Sequence, residues 1–219
     1  APYIQEWQFR FYPDREEAQA ALQSKHVDGL AFVPWKDVAE LKHGDIQSVT
    51  IELPQETVAF LNVKHPLLKD VRLRQALSMA VDTRELQGLI GSHASVVSSP
   101  FPFFETTSTA AGDLDGARVL LNALGWRLPE NGSVRVLQPT TSGANASTPS
   151  ASSTELAITI DLPDQSDLIK VAELLKRRWS LIGVRVDIRV SNAEELLRQV
   201  VSKRDYQVLI WNVLLPPTQ

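Results

Sequence analysis

The sequence predicts an α/β fold with a mainly parallel or mixed sheet flanked by helices. Short apolar runs such as "AITIDL" (157–162) and "VRVDIRV" (184–190) alternate with longer stretches of helical periodicity. Helix-starting Asp or Ser and helix-ending Gly125 and Gly183 punctuate those stretches. With 219 residues, 43% of them hydrophobic and 22% charged, the chain is long enough to bury a real core.

In chain order, Trp7 to Tyr12 alternates as a strand does. Pro13 and Asp14 then open a helix, with Asp14 as N-cap, Glu16 and Glu17 in its first turn, and Ala18, Ala21 and Leu22 as its apolar stripe. His26 to Val33 reads as a short buried strand and Trp35 to Leu41 as a second helix that stops by Gly44. Two extended segments follow, 48–53 and 56–63, parted by Pro54. A helix over 71–81 buries Leu73, Ala76, Leu77, Ala80 and Val81, and Asp82 or Thr83 caps another that ends near Gly91.

Residues 92–112 form a long loop with two prolines and three phenylalanines. Asp113 begins a helix through Leu124, with Gly125 in the left-handed closing position. Strand-like 133–137 and 155–162 flank "QPTTSGANASTPSASST" (138–154), which lacks large apolar side chains and predicts a disordered-type loop. A strong helix spans 166–181, Gly183 leads into a strand, Ser191 caps a helix from Ala193 to about Ser202, and Tyr206 to Leu215 closes the chain as a strand.

Formal net charge is -4 with both signs interspersed, so no basic field is available for nucleic acid. Without cysteine there are no disulfides, thiolate metal sites or Cys nucleophiles. No apolar run approaches the roughly 18 residues of a membrane span. There is no basic-then-apolar leader at Ala1, and the two ends suggest a piece of something larger.

Catalytic patterns are absent. His26, His43, His65 and His93 have no metal-ligand spacing, and no GxSxG, P-loop or GxGxxG occurs. The acid pairs Glu16/Glu17, Asp113/Asp115 and Glu194/Glu195 each lie at a helix start, where carboxylates suit the helix dipole. Trp126 and Trp179 read as packing residues; Trp211 lies in the last strand, where α/β strands deliver residues to a cleft, although burial in the core is the slightly favoured alternative. Neither a cofactor nor a metal site is predicted.

One stretch carries more than periodicity. "AFLNVKHPLLKDVRLRQALSMAVDTREL" (59–86) resembles the signature of the family 5 extracellular solute-binding proteins, the peptide-, dipeptide- and nickel-binding receptors of bacterial ABC importers. Asn62, Pro66, Asp70, Val71, Arg72, Arg74, Ala76, Leu77, Ala80, Val81 and Asp82 fit its pattern, with Thr83 replacing the usual acid. "FYPDREEAQAALQSKHVDGLAFVP" is similar to the family's upstream unit, with Lys25 and His26 in place of Gly-Glu. "DLDGARVLLNALGW", "LIKVAELLKRRWSLIGVRVDIRV" and "RDYQVLIWNVLLPP" follow in the family's order, so the resemblance omits little beyond the Ser/Thr-rich tract.

The resemblance implies a periplasmic-binding-protein-like (type II) fold, of which this chain is a fragment of a multi-lobe receptor. It implies that 1–50 is a partial segment of lobe I and 51–215 a lobe III-like domain. It further implies a small solute or peptide held between lobes without catalysis, membrane subunits of an ABC importer as partners, and an extracytoplasmic location with membrane anchoring. The alternative is a sensory or scaffold domain that reuses the fold. Phe60, Asn62, Trp211 and Asn212 take cleft-facing positions by this comparison, with Phe101 to Phe104 at a rim. The return strand carries Val213, Leu214 and Leu215 where peptide binders commonly place an acid for the peptide amine. An unpaired ammonium in a closed cleft costs several kcal/mol, which argues against a free-amine ligand held through that segment. Nothing in the sequence favours nickel.

Overall fold

The computed structural model describes residues 3–31, 33, 37–38, 41, 46–49, 55–90, 111–138 and 154–214. The chain divides into two units, Ala1–Leu53 and Pro54–Gln219.

In the first unit the predicted helix forms as α1, Arg15–Gln23. Asp14 caps it, Oδ1 accepting from the Glu17 amide at 2.8 Å, and Ala18 and Ala21 are buried. Lys25 follows at φ 58, the left-handed position in which glycine is usual, and the His26 amide returns to the Ala21 carbonyl at 2.8 Å. That conformation explains why the family pattern places Gly where this chain has Lys25. Two expectations fail. Residues 4–12 form no strand, and Trp7 and Phe9 are exposed with rings stacked at 6.3 Å. Residues 26–31 and 33 are bends and irregular backbone, largely exposed, instead of a buried strand. Alternation alone makes no strand, because a ladder needs a neighbour, and none of the described residues pairs with either segment. Of the helix expected over 35–41, Asp37, Val38 and Leu41 are helical, and the rest lies outside the described residues.

The second unit contains β1 (Gln55–Leu61), a 3-10 turn (Leu67–Lys69), α2 (Val71–Met79), α3 (Thr83–Ile90) and α4 (Leu114–Ala123). A short ribbon of β2 (Trp126–Arg127) and β3 (Val136–Leu137) precedes β4 (Ala157–Pro163), α5 (Ser166–Ser180) and β5 (Arg185–Ser191). α6 (Ala193–Leu196) runs on into a π-helical turn at Leu197–Val201, and β6 (Val208–Leu214) ends the series. The main sheet has the order β1-β6-β4-β5. β4 is parallel to both β5 and β6, and β1 is antiparallel to β6, which makes the sheet mixed, as predicted. Residues 91–110, with the expected rim phenylalanines, and 139–153, nearly all of the Ser/Thr-rich tract, lie outside the described residues.

α5 packs its Leu168, Val171, Ala172, Leu175 and Trp179 against Ile158, Ile160, Val186, Val208 and Ile210 of the sheet. α2 and α4 join the same core through Leu73, Ala76, Leu77, Ala117 and Leu121. Trp179 Nε1 donates to the Leu77 carbonyl at 3.0 Å, tying α5 to α2 and satisfying the one polar atom of a buried indole. α6 touches β4 and contributes the fully buried Leu196.

The polar signals of the sequence find their partners locally. Asp70 caps α2, Oδ1 accepting from the Arg72 amide at 2.9 Å, and its other oxygen pairs with the Arg72 guanidinium at 2.9 Å. Arg74 donates to the Leu68 and Lys69 carbonyls at 2.8 and 3.0 Å, so it pins the preceding turn through carbonyls. Asp113 caps α4, and Gly125 takes φ +85 after it. Ser191 does not cap α6: it ends β5, and Asn192 accepts from the Glu194 amide at 2.9 Å.

Arg135 is the residue that periodicity does not reveal. It is 5% exposed, and its guanidinium donates to the Ile182 carbonyl, the Trp126 carbonyl and Asn122 Oδ1, each at 2.7 Å. Asn122 and Ile182 lie at the C-terminal ends of α4 and α5, where helix dipoles concentrate negative charge, and Trp126 follows in β2. Burial, with repulsion from Arg118 and Arg127, pulls its pKa below the ordinary arginine value. Gly183, at φ +82, is the complement: a Cβ there would stand 2.8 Å from Arg135 Cγ.

Arg135→Met removes three bonds and leaves two buried carbonyls unpaired. It is expected to cost roughly 3 kcal/mol or more in urea unfolding, with Arg135→Lys recovering only part because an ammonium lacks the planar fork. Asp70→Ala is expected to cost about 1 kcal/mol at neutral pH through the lost cap. The Arg72 hydrogen bonds hold the Asp70 carboxyl below its usual range. A depressed folded-state value means stability that is present above the unfolded value and lost as pH falls through the folded one. The gap between wild type and Asp70→Ala therefore narrows in acid, which urea midpoints measured down a pH series will show.

Candidate functional site

The start of β1 and the end of β6 lie side by side, because Gln55 pairs with Leu214. The carboxyl ends of the parallel strands β4, β5 and β6 lie at the same end of the sheet. This is the end at which open α/β sheets bind ligands.

Side-chain alternation sorts the four candidates onto different faces. Val208 and Ile210 belong to the helix-side core, so Leu209, Trp211 and Val213 take the opposite face of β6. Their antiparallel partners Phe60, Val58 and Glu56 share that face. Phe60 and Trp211 thus belong to one apolar strip, Phe60 being 38% exposed and Trp211 half-buried. Asn212 lies on the helix side of the same strand end. Its Oδ1 accepts from Thr57 Oγ1 at 2.8 Å and its Nδ2 donates to Gln165 Oε1 at 3.1 Å, linking β1, β6 and the start of α5.

Asn62 lies at the far end of the β1–β6 ladder. Its Nδ2 donates to the Tyr206 carbonyl at 2.8 Å and the Arg204 carbonyl at 3.2 Å, while Oδ1 accepts from the Lys64 amide at 3.1 Å. The structure therefore unites Phe60 with Trp211, places Asn212 beside them on the other face, and engages Asn62 in joining two turns.

Sequence reasoning missed Glu56. The register sets it opposite Val213 and diagonal to Trp211, on the strip where β6 itself offers no carboxylate. Among the described residues no ion pair engages it. The signal was present in the sequence only as an acid in a strand, because the register that aligns it with Trp211 depends on residues about 155 positions apart. Among the described residues no group of three or more His, Asp or Glu could hold a metal ion. No helix among them is long and apolar enough to cross a membrane.

Asn62→Ala is expected to destabilise the chain by about 2 kcal/mol, since two carbonyls lose their donor. Amide exchange at 204–207 should accelerate with it, a local readout of the freed turn.

A family model described as "Bacterial extracellular solute-binding proteins, family 5 Middle" matches residues 1–218. No curated protein matches the chain. Among solved structures it is similar to the oligopeptide-binding protein AppA from Bacillus subtilis in complex with a nonapeptide, with 19% identity and TM-score 0.69 over 95% of this chain and 41% of that one. It is also similar to the ABC transporter substrate-binding protein CtaP from Listeria monocytogenes, with 20% identity and TM-score 0.68 over 94% and 39%. NikZ from Campylobacter jejuni in complex with Ni(L-His) gives 17% identity and TM-score 0.73, again over 94% and 39%. The chain spans about two fifths of the length of these structures.

Proposed function

Because the chain belongs to the family 5 bacterial extracellular solute-binding proteins, we propose that it is part of the substrate-binding component of an ABC importer. It takes a peptide or related small solute in a cleft between lobes, delivers it to the importer's membrane subunits, and does no chemistry on it. On this reading the protein works outside the cytoplasm, anchored to the membrane. Residues 1–50 are a segment of lobe I, and 51–215 make the lobe III-like wall.

The observation that carries the reading is the pairing of Gln55 with Leu214. On this reading the paired strand ends both continue toward the other lobe, and such a pair can serve as a two-strand hinge. The strip of Phe60, Val58, Trp211 and Val213 leads directly to those strand ends, so closure would desolvate a ligand laid along it. Trp211 supplies the largest apolar contact and Phe60 extends it. Asn212 fixes the strand end through Thr57 and Gln165, and Asn62 sets the register of the β1–β6 ladder. Glu56 provides the carboxylate that "WNVLLPP" lacks, so a ligand ammonium can be paired from β1.

AppA is solved with a peptide and NikZ with a nickel–histidine complex. The apolar strip with one acid suits a peptide better than a chelated metal. In the receptor that contains all lobes, Trp211→Ala is expected to weaken peptide binding at least tenfold by calorimetric titration, with the thermal midpoint of the protein unchanged. Unaltered affinity would remove the strip from the site. Tight stoichiometric peptide binding by the 219 residues alone would remove the need for a second lobe.

A further inference from the structure

At the end of the ladder remote from Trp211 lies a hollow of about 430 Å³, within the range of small-ligand sites. It lies four residues back along β6, roughly 13 Å away at strand spacing. We propose that this hollow is a second binding site of the chain, for a small oxyanion of the carboxylate or phosphate type.

Three observations support the assignment. The walls are built and held in place: Asn62 clamps the carbonyls of Arg204 and Tyr206, and Gln207 Oε1 accepts from the Thr159 amide at 2.5 Å. The Gln207 amide nitrogen lies 3.2 Å from His65 Nε2. Strand β4, the loop after β1 and the loop before β6 are thus fixed to one another around the opening.

The backbone on one side is also irregular in a way that sequence preference does not ask for. The π-helical turn at Leu197–Val201 closes with the Ser202 amide on the Leu197 carbonyl at 2.9 Å, and the Asp205 amide then returns to the Val200 carbonyl at 2.9 Å. Arg204 follows at φ 55, a left-handed conformation that a non-glycine residue adopts at a cost. Both features are enriched at functional sites, and here they present Arg204 and Tyr206 to the hollow.

Charge decides the ligand class. Lys64, Arg189 and Arg204 line the hollow, against Asp205 in its lining and the buried Asp161 behind Arg189. Three cations against two acids leave one positive charge. Asp161 takes only Nε and Nη2 of Arg189, at 2.8 and 2.9 Å, and no ion pair among the described residues engages Lys64 or Arg204. An anion entering the hollow meets two cations that have no carboxylate partner among the described residues and a guanidinium whose Nη1 has no partner among them, with Thr159 and Tyr206 also in the lining. A cation would meet net repulsion.

Calorimetric titration of the whole chain with sodium phosphate and with sodium acetate, at constant ionic strength set by chloride, tests the site. Saturable binding of at least one anion is expected. The Lys64→Gln/Arg204→Asn double variant should weaken it tenfold or more, asparagine keeping the left-handed backbone accessible at position 204. Trp211→Ala should bind as wild type does. Binding of phosphate alone assigns phosphates, and binding of acetate alone assigns carboxylates. Should the double variant lose its cooperative unfolding transition, Lys64→Gln on its exposed turn carries the test, with about threefold weakening expected. Absence of saturable binding by both anions, undiminished binding in the variants, or loss of binding in Trp211→Ala overturns the proposal. None of these outcomes bears on the peptide cleft, whose test reads a different ligand.

Discussion

Arg135 brings a full charge into the second unit, and among the described residues no carboxylate pairs with it. It is stable there because α4 and α5 both end against it, presenting the Trp126 and Ile182 carbonyls and the Asn122 amide oxygen. Helix C-termini leave carbonyls without intrahelical partners, and a planar guanidinium can satisfy several at once. The left-handed Gly183 lets the chain turn over the arginine's methylenes, and the Arg135 amide itself donates to the Gly183 carbonyl at 2.8 Å. One side chain thereby sets the spacing of two helices and the entry of β5. Since α5 covers the sheet and Trp179 reaches from it to α2, the rest of the core inherits that spacing.

The sheet builds the surface of the proposed cleft on this rigid base. β6 is central, parallel to β4 on one side and antiparallel to β1 on the other. The parallel side brings the strand ends beside the start of α5. The antiparallel side returns the chain to its point of entry. Both depend on pairing over a long sequence separation, which fixes Trp211 next to Val58 and, two residues away, Glu56 next to Val213. A slip by one residue would turn Trp211 toward the helices and expose Ile210. The burial of Val208 and Ile210 therefore protects the register on which the proposed cleft depends.

A different logic operates at the opposite end of the ladder. Asp161 is buried on the sheet, and burial raises its carboxyl above the usual range while the Arg189 hydrogen bonds pull it back. Between the unfolded and the raised folded value the folded state holds more protons, so this one group favours folding less as pH rises through that window. Asp70, whose pKa is lowered, acts in the reverse sense over the acid range. A buried acid matched to a half-exposed arginine is a weak source of stability. It keeps the Arg189 guanidinium at the hollow, a contribution to the proposed binding more than to stability.

Most helices and four of their caps were legible in local sequence. Asp14, Asp70, Asp82 and Asp113 each accept a hydrogen bond from the first turn they precede, and Leu73, Ala76, Leu77 and Ala80 are buried as their spacing requires. These are contacts within a few residues, so local chemistry encodes them. The 59–86 signature also indicated the family. Tertiary structure alone decided the rest. The alternating segment 7–12 is not a strand among the described residues because strands are made by neighbours. Ser191 lost the cap to Asn192 because β5 runs one residue further along β4. Arg135, Glu56 and the Arg204 hollow were illegible for the same reason. Each takes its meaning from partners tens to more than a hundred residues away, and periodicity carries no information about which distant residue a side chain will meet.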